Sequence, residues 1–372
     1  MKVIVVGGGI IGSSIAWRLA REGATVTLLE RARLGQEASW AAAGLIAPQA
    51  EAQGAGAFFE LCLRAREAFR EINPCLIEES GIDPEYGPMG ILYLALDRSD
   101  QAELEARARW QRQAGGVLEE LTPAEARKFE PAIGHDTLYA LYMPEDRPLD
   151  NRKLTQAYAV AAVRAGAILS EGASVEAILT TGGRANGVQL HDGSSLEADL
   201  VVIAAGAWSH MLRGLEADHV TVHPVRGQIA CFEGRPSLLG PPVFSSRGYL
   251  VPRRDGRVLA GSTMEQAGFN RSVTLAGIER IVSAALTIVP ALSNLAFREA
   301  WAGLRPATRD LMPVLGFSPS VPNVIYASGH FRSGILLSAL TGEIVADLVA
   351  GRQSTVDLNP FSPARFGTEP SS

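Results

Sequence analysis

Cysteine is scarce: Cys62, Cys75 and Cys231 are the only three in 372 residues, and no Cys-x-x-Cys pair occurs. An odd number without paired spacing excludes a disulfide framework and a thiolate metal site, leaving reduced thiols packed in the core. Basic clusters are missing too. The 34 lysines and arginines are outnumbered by 40 aspartates and glutamates, for a net charge of −6. With no basic stripe above that background, neither nucleic acid nor an anionic membrane is an expected partner. No apolar run approaches the ~20 residues that span a bilayer; the longest lies near residues 200–208. The apolar start is interrupted at once by Gly7, Gly8 and Gly9, so it is not read as a signal peptide, and the expected location is the cytoplasm. A Gly-x-Ser-x-Gly elbow and a Gly-Lys-Ser/Thr phosphate loop are also absent, which leaves acyl and phosphoryl transfer without a motif. His219 and His223 are four apart, but in a strand pattern that ends at Pro224. Four strand residues separate them by roughly 13 Å, too far to share a metal. No metal is expected.

What is present is globular. Hydrophobic residues make up 47% and charged residues 20%, and the length implies two domains. Residues 2–6 form a short β-branched run, Gly7-x-Gly9-x-x-Gly12 follows, and Ile11, Ile15 and Leu19 then recur every four residues. Gly23 closes that helix and residues 25–30 read as a second strand, so the chain opens on a βαβ unit. In such a turn Gly7 permits the tight bend, Gly9 lets main chain approach a pyrophosphate, and Gly12 lets helix and strand pack closely. The helix N-terminus supplies free N–H groups and partial positive charge. Glu30 ends the second strand eighteen residues after Gly12, where a carboxylate can accept from both ribose hydroxyls and would repel a 2′-phosphate.

Farther along, residues 41–56 read as a mobile loop with short helical pieces, 90–96 as a strand, 99–115 and 154–165 as helices, and 200–205 as a covered strand. From His219 the strands lengthen: 225–232, then 248–252 and 258–262 around the turn signal Asp255-Gly256. Residues 274–290 read as a helix and 297–305 as a strand that Pro306 ends; 324–328, 329–334 and 335–349 read as strand, turn and helix. The fold class is therefore α/β. Residues 1–80, 145–218 and 312–372 are expected to form a discontinuous, Rossmann-like dinucleotide-binding domain, and 81–144 with 219–311 a β-rich substrate domain.

Val5-Val6-Gly7-Gly8-Gly9-Ile10-Ile11-Gly12, Glu30 and Ala41-Ala42-Ala43-Gly44 together resemble the D-amino acid oxidase family of flavoproteins. Residues 248–253 (Gly-Tyr-Leu-Val-Pro-Arg), 300–306 (Ala-Trp-Ala-Gly-Leu-Arg-Pro) and 329–335 (Gly-His-Phe-Arg-Ser-Gly-Ile) are similar to its glycine oxidase branch, in the same order and rough spacing. The resemblance implies an FAD-binding domain of the GR2 type. It also implies oxidation of glycine or another small amine by O2, a role in supplying the thiazole of thiamine, and a homotetramer. Gly7, Gly9, Ile10, Ile11, Gly12, Glu30, Arg31, Ala43, Gly44 and Leu45 would contact FAD, with Val175 near the adenine. His330, Phe331, Arg332, Ser333, Gly334, Ile335 and Leu336 would wrap the flavin. Arg305 and Tyr249 would bind the substrate carboxylate, Arg332 would offer its carbonyl to the amine, and Met264 would line the side-chain pocket. Residue type alone leaves other roles open: Arg305 as a partner of Asp310, Arg332 on the surface, Tyr249 and Met264 in the core.

Two positions depart from the family's pattern. Arg247 stands where a histidine or neutral residue is usual, and extra charge at the pocket mouth would admit a second anionic group. The related sarcosine oxidases attach FAD through a cysteine after the Leu-Arg-Pro motif; residues 307–313 contain none, so non-covalent FAD is expected. The rival readings are a dehydrogenase of D-amino acids or proline that passes electrons to a quinone or a partner subunit, and a non-catalytic flavin-binding subunit.

Overall fold

The computed structural model describes residues 1–236 and 238–367; Ser237 and 368–372, which the domain expectation includes, lie outside them. Its first sheet has six strands in the order Val314–Phe317, Val324–Ser328, Leu200–Ile203, Lys2–Val6, Thr25–Glu30 and Ile168–Glu171. All neighbours are parallel except the first pair. The sheet thus draws on the beginning, middle and end of the chain.

Strand periodicity explains how both faces are covered. Val3, Val5 and Val202 pack on one side with the helices Ile10–Arg21, Asn151–Arg164 and Gly334–Ala350. Ile4, Val6, Val201 and Ile203 face the other way, against Ile178 and Val188 of a three-stranded sheet. Alternate residues point to opposite faces, so a run with no polar member is what a doubly covered strand requires. The first and last of those helices touch closely enough for Ser14 Oγ to donate to the Ser338 carbonyl at 2.8 Å.

The second sheet has eight strands, in the order Ala296–Ala307, His223–Glu233, Arg257–Gly261, Gly248–Pro252, Val243–Ser245, Ile91–Ala95, Tyr139–Met143 and Glu119–Leu121. It is antiparallel except between Val243–Ser245 and Ile91–Ala95. Leu92, Leu94, Ala230, Leu250, Val258 and Ala260 pack against the helix Leu275–Ile288. Ile229, Cys231, Val251, Leu259 and Trp301 point the other way, toward Ala41 and Ala43. That second face turns toward the six-stranded sheet, and residues of both sheets line the space between them.

Several expectations are corrected. The strand Ala296–Ala307 does not stop at Pro306: pairing continues through Pro224–Pro306 and His223–Ala307. This is an edge strand, where a proline sacrifices no ladder bond. The alternation from His219 is not all strand either, because His219 sits in a left-handed conformation (φ 54°) and pairing starts at His223. Residues 41–56 do contain short helical pieces, but they are anchored. Asp146 accepts from Gln49 N and Ala50 N at 2.8 Å each, and the Arg107 guanidinium donates to the carbonyls of Gln49, Ala50 and Ala52. The helix Ala57–Ser80, 24 residues with Pro74 inside, and the segment from Glu119 to Met143 had no expected element.

Candidate active site

A cavity of about 670 Å³ runs between the two sheets. At one end lies the glycine turn. Gly7 (φ 108°) passes so near the neighbouring strand end that a Cβ there would lie 2.4 Å from the Ala204 carbonyl oxygen. A Cβ on Gly12 would meet the Gly7 carbonyl at 1.9 Å, so only glycine lets this helix start flush on its strand. Ile10 N donates to Ser39 Oγ at 2.9 Å. The N–H groups of Ile11 and Gly12 have no acceptor among the described residues, and unpaired first-turn donors suit a phosphate.

Glu30 is buried at the end of its strand. Its carboxylate accepts from Gly8 N at 2.8 Å and Ala32 N at 2.9 Å while still lining the cavity. Arg31 stacks on the Trp208 ring, 3.6 Å from its centroid, and pairs with Glu37 at 2.7 Å. Gly44 (φ 71°) runs against the main chain of Leu149, whose carbonyl a Cβ would approach to 2.2 Å.

The middle of the cavity is bounded by the turn after Val324–Ser328. Gly329 (φ 70°) and Phe331 (φ 47°) bend it, and Phe331 N donates to the Pro306 carbonyl at 2.8 Å, tying the turn to the second sheet. The helix Gly334–Ala350 then begins with no side-chain cap. The N–H groups of Gly334, Ile335 and Leu336 face the cavity without partners among the described residues. His330 is fully buried with Nε2 3.1 Å from Thr341 Oγ1, and burial pushes its pKa down to about 3. It is neutral at pH 7.

At the far end Arg305 lies half-buried over Gly227, where a Cβ would come within 2.2 Å of the guanidinium. It donates to the Thr263 carbonyl (3.1 Å) and Ser262 Oγ (2.7 Å), both neutral. Among the described residues it has no ion pair: Asp310, the alternative partner, holds Arg365 at 2.8 Å instead. Burial presses the Arg305 pKa down, yet a guanidinium stays charged at neutral pH. Tyr249 stacks on Phe244 (5.2 Å between centroids), and its hydroxyl makes no hydrogen bond among the described residues. Arg332 pairs with Glu51, Nε to Oε2 at 2.8 Å, and the Glu51 charge raises the Arg332 pKa.

Of the candidate cofactor and substrate residues read from the sequence, all but Gly12 and Met264 line this one cavity. Gly12 lies behind it, as its packing duty requires. Met264 is the correction: it is 59% exposed and outside the lining. Beside it Thr263 Oγ1 accepts from Gln228 N and Glu265 pairs with Arg226, which turns the intervening Met264 outward. Arg247 is exposed and outside the lining as well, so the charge expected at the mouth does not reach the interior. Gly303 also makes room for the Ala41 methyl group, which a Cβ there would meet at 2.5 Å. Glu51, Trp208 and Glu37 line the cavity unforeseen; each is a single acid or aromatic with no motif around it.

Gly7, Gly9 and two helix N-termini without side-chain caps on one cavity fit a dinucleotide that carries a second group able to take negative charge. The chain matches the family model described as FAD dependent oxidoreductase over residues 2–348. It belongs to that DAO family. It is 34% identical to glycine oxidase of Geobacillus kaustophilus over 98% of this chain and 96% of the relative. The crystal structure of glycine oxidase from that organism superposes with a TM-score of 0.94 over 98% of both chains. A bifunctional ThiO/ThiG protein of Synechocystis is 35% identical over 98% of this chain, which spans only 54% of that longer relative. This family member is an FAD-dependent oxidoreductase with an α/β nucleotide-binding sheet. No cysteine lines the cavity: Cys62 and Cys231 are buried elsewhere, and Cys75 is partly buried on the helix Ala57–Ser80. Among the described residues no His, Cys, Asp or Glu cluster could hold a metal, and no helix is long and apolar enough to cross a membrane.

Proposed function

We propose that this enzyme oxidises glycine, and less readily sarcosine and small D-amino acids, to the imine. The imine is hydrolysed to the 2-oxo acid; for glycine the balance is glycine, O2 and water to glyoxylate, ammonia and H2O2. The observation that carries this is Arg305: a half-buried guanidinium that, among the described residues, has no carboxylate of its own and lies next to a Tyr249 hydroxyl without a hydrogen bond. Together they fit one substrate carboxylate, the guanidinium in a two-pronged pair and the phenol as a third donor.

The chemistry that a bound FAD would supply is acceptance of a hydride from the substrate Cα and reoxidation by O2. Gly7, Gly9, Ile10, Ile11 and Glu30 would hold its nucleotide, with Arg31, Ala43, Gly44, Leu45 and Val175 around it. Residues 330–336 would hold its ring, the three free N–H groups at 334–336 stabilising negative charge there. The chain's own contribution is alignment. Arg305 and Tyr249 fix the carboxylate, the Arg332 carbonyl receives the amine, and neutral His330 adds no competing charge. No side chain of the cavity is needed as a base when the amine binds neutral, so positioning supplies the catalysis.

By the same resemblance we assign the imine to the supply of dehydroglycine for the thiazole of thiamine, and the enzyme to the cytoplasm as a homo-oligomer. The test is H2O2 release by the purified protein with glycine, sarcosine, D-alanine, D-proline and D-aspartate, with a quinone as the competing acceptor. Glycine turnover with stoichiometric H2O2 is expected, and acid precipitation should leave all the yellow FAD in the supernatant. Quinone reduction without H2O2 points to the dehydrogenase. Flavin that no amine reduces points to a binding subunit.

A further inference from the structure

The substrate end carries two guanidinium groups that are not equivalent. Arg305 meets only neutral acceptors, whereas Arg332 is held by the Glu51 carboxylate at 2.8 Å. Glu51 itself lines the cavity and its side chain is only 15% exposed. It closes the short helix Pro48–Glu51, and that piece has little freedom to withdraw. Its start is held by the fully buried Asp146 through Gln49 N and Ala50 N, and Asp146 has Arg66 3.6 Å away. The carbonyls of Gln49, Ala50 and Ala52 are gathered by Arg107, and Gln111 Nε2 donates to Gln49 O at 2.7 Å. An acid so anchored is a fixed part of the wall.

Counting charges shows what this does. Arg305 and Arg332 contribute two positive charges and Glu51 one negative charge, a net of +1 for the incoming substrate. One carboxylate with a neutral amine matches that sum. A second carboxylate finds Arg332 engaged and meets the like charge of Glu51, an arrangement that rejects by repulsion as much as by missing attraction.

We propose that Glu51 is a specificity-determining residue: by occupying Arg332 it confines the site to substrates and inhibitors with a single carboxylate. The inference rests on the amino-acid oxidase reading above and names the feature that sets its substrate class.

Two experiments on the FAD-loaded enzyme separate the inference from that reading. In the first, kcat/KM for D-aspartate and iminodiacetate is compared with that for glycine in wild type, Glu51→Gln and Glu51→Ser. The dicarboxylate-to-glycine ratio should rise at least tenfold in both variants. The gain should disappear in the Glu51→Gln/Arg332→Gln double variant. In the second, malonate and acetate are titrated while the flavin absorbance is read, which needs no turnover. The malonate preference should rise by a similar factor in Glu51→Gln and fall back in the double variant. Unchanged ratios in both single variants, with normal FAD content, overturn the proposal, and so does a gain that survives loss of Arg332. Absence of glycine turnover by the wild type counts against the oxidase reading alone, since the titration still reports on Glu51.

Discussion

At the nucleotide end of the cavity, Gly7 and Gly12 bring main chain to where a Cβ would lie 2.4 and 1.9 Å from a carbonyl oxygen. At the substrate end the surface is made of side chains from separate strands and turns: Arg305, Tyr249, and Arg332 with Glu51. On the proposed reading the first end works mainly through bare main chain, with Glu30 beside it, and so recognises what dinucleotides share. The second works by what is attached, and there small changes redirect chemistry. Backbone sites are brittle and general; side-chain sites are tolerant of change and specific.

The largest effect expected from that contrast is at Gly12. Gly12→Ala places a methyl group 1.9 Å from the Gly7 carbonyl, so the helix Ile10–Arg21 must lift off its strand. Overpacking of this kind costs about 1–3 kcal/mol or more in stability, and the free N–H groups move with the helix. The purified variant should be colourless or nearly so and melt lower; full FAD content by absorbance would falsify the backbone half of the comparison.

Arg305→Leu should behave in the opposite way. FAD content and melting temperature should stay near wild type, because among the described residues the guanidinium has no ion pair to lose. Substrate binding loses a charge partner, a cost of about 2–5 kcal/mol. Steady-state kinetics should show KM for glycine raised tens-fold or more, with kcat lowered as the Cα hydrogen loses its aim. Unaltered kinetics, or a variant that unfolds, would make Arg305 a structural residue.

His330 gives the smallest effect, visible only through pH. Its folded pKa is about 3, against 6.5 for the free side chain. Between those values the unfolded chain binds the extra proton. The contribution to stability is therefore complete above pH 6.5 and shrinks as pH falls toward 3. At pH 4 the loss amounts to about 3 kcal/mol at 1.36 kcal/mol per pKa unit. His330→Gln can keep a hydrogen bond to Thr341 but cannot titrate. Thermal melts from pH 7 down to 4 should fall less steeply in the variant than in wild type. Parallel profiles would show that the imidazole is not buried neutral.

The same contrast explains what could be read from the sequence. The glycine turn, Glu30 and the opening βαβ unit lie within 30 residues, and their physics is local. Gly329–Ile335 was legible for the same reason, a turn directly before an apolar helix. The resemblance did not place Met264, because which way residue 264 points depends on Gln228 and Arg226 from a neighbouring strand. Local pattern failed at Pro306, because nothing local says that this strand lies at a sheet edge. The helix Ala57–Ser80 went unassigned although Phe59, Cys62, Ala65, Arg66 and Phe69 keep helical spacing on its buried side; Pro74 and a buried arginine obscure the stripe. Glu51 carried no signal at all, since its meaning lies in a contact with Arg332, 281 positions away.

The hydrogen bond from Ser14 to Ser338 has a consequence for how the protein is made. The opening strand and helix leave the ribosome early, but their covering helix follows 324 residues later. At synthesis rates of 5–20 residues per second the delay is on the order of tens of seconds. Through that interval the apolar residues 3–6 have no complete sheet to join, and the turn that follows them is not yet faced by residues 330–336. On the proposed placement of the flavin, a chain cut before residue 330 lacks one of the two walls that would hold the cofactor. On that reading FAD capture waits for the last helix, so the yellow colour of a preparation should report on chains that extend through it.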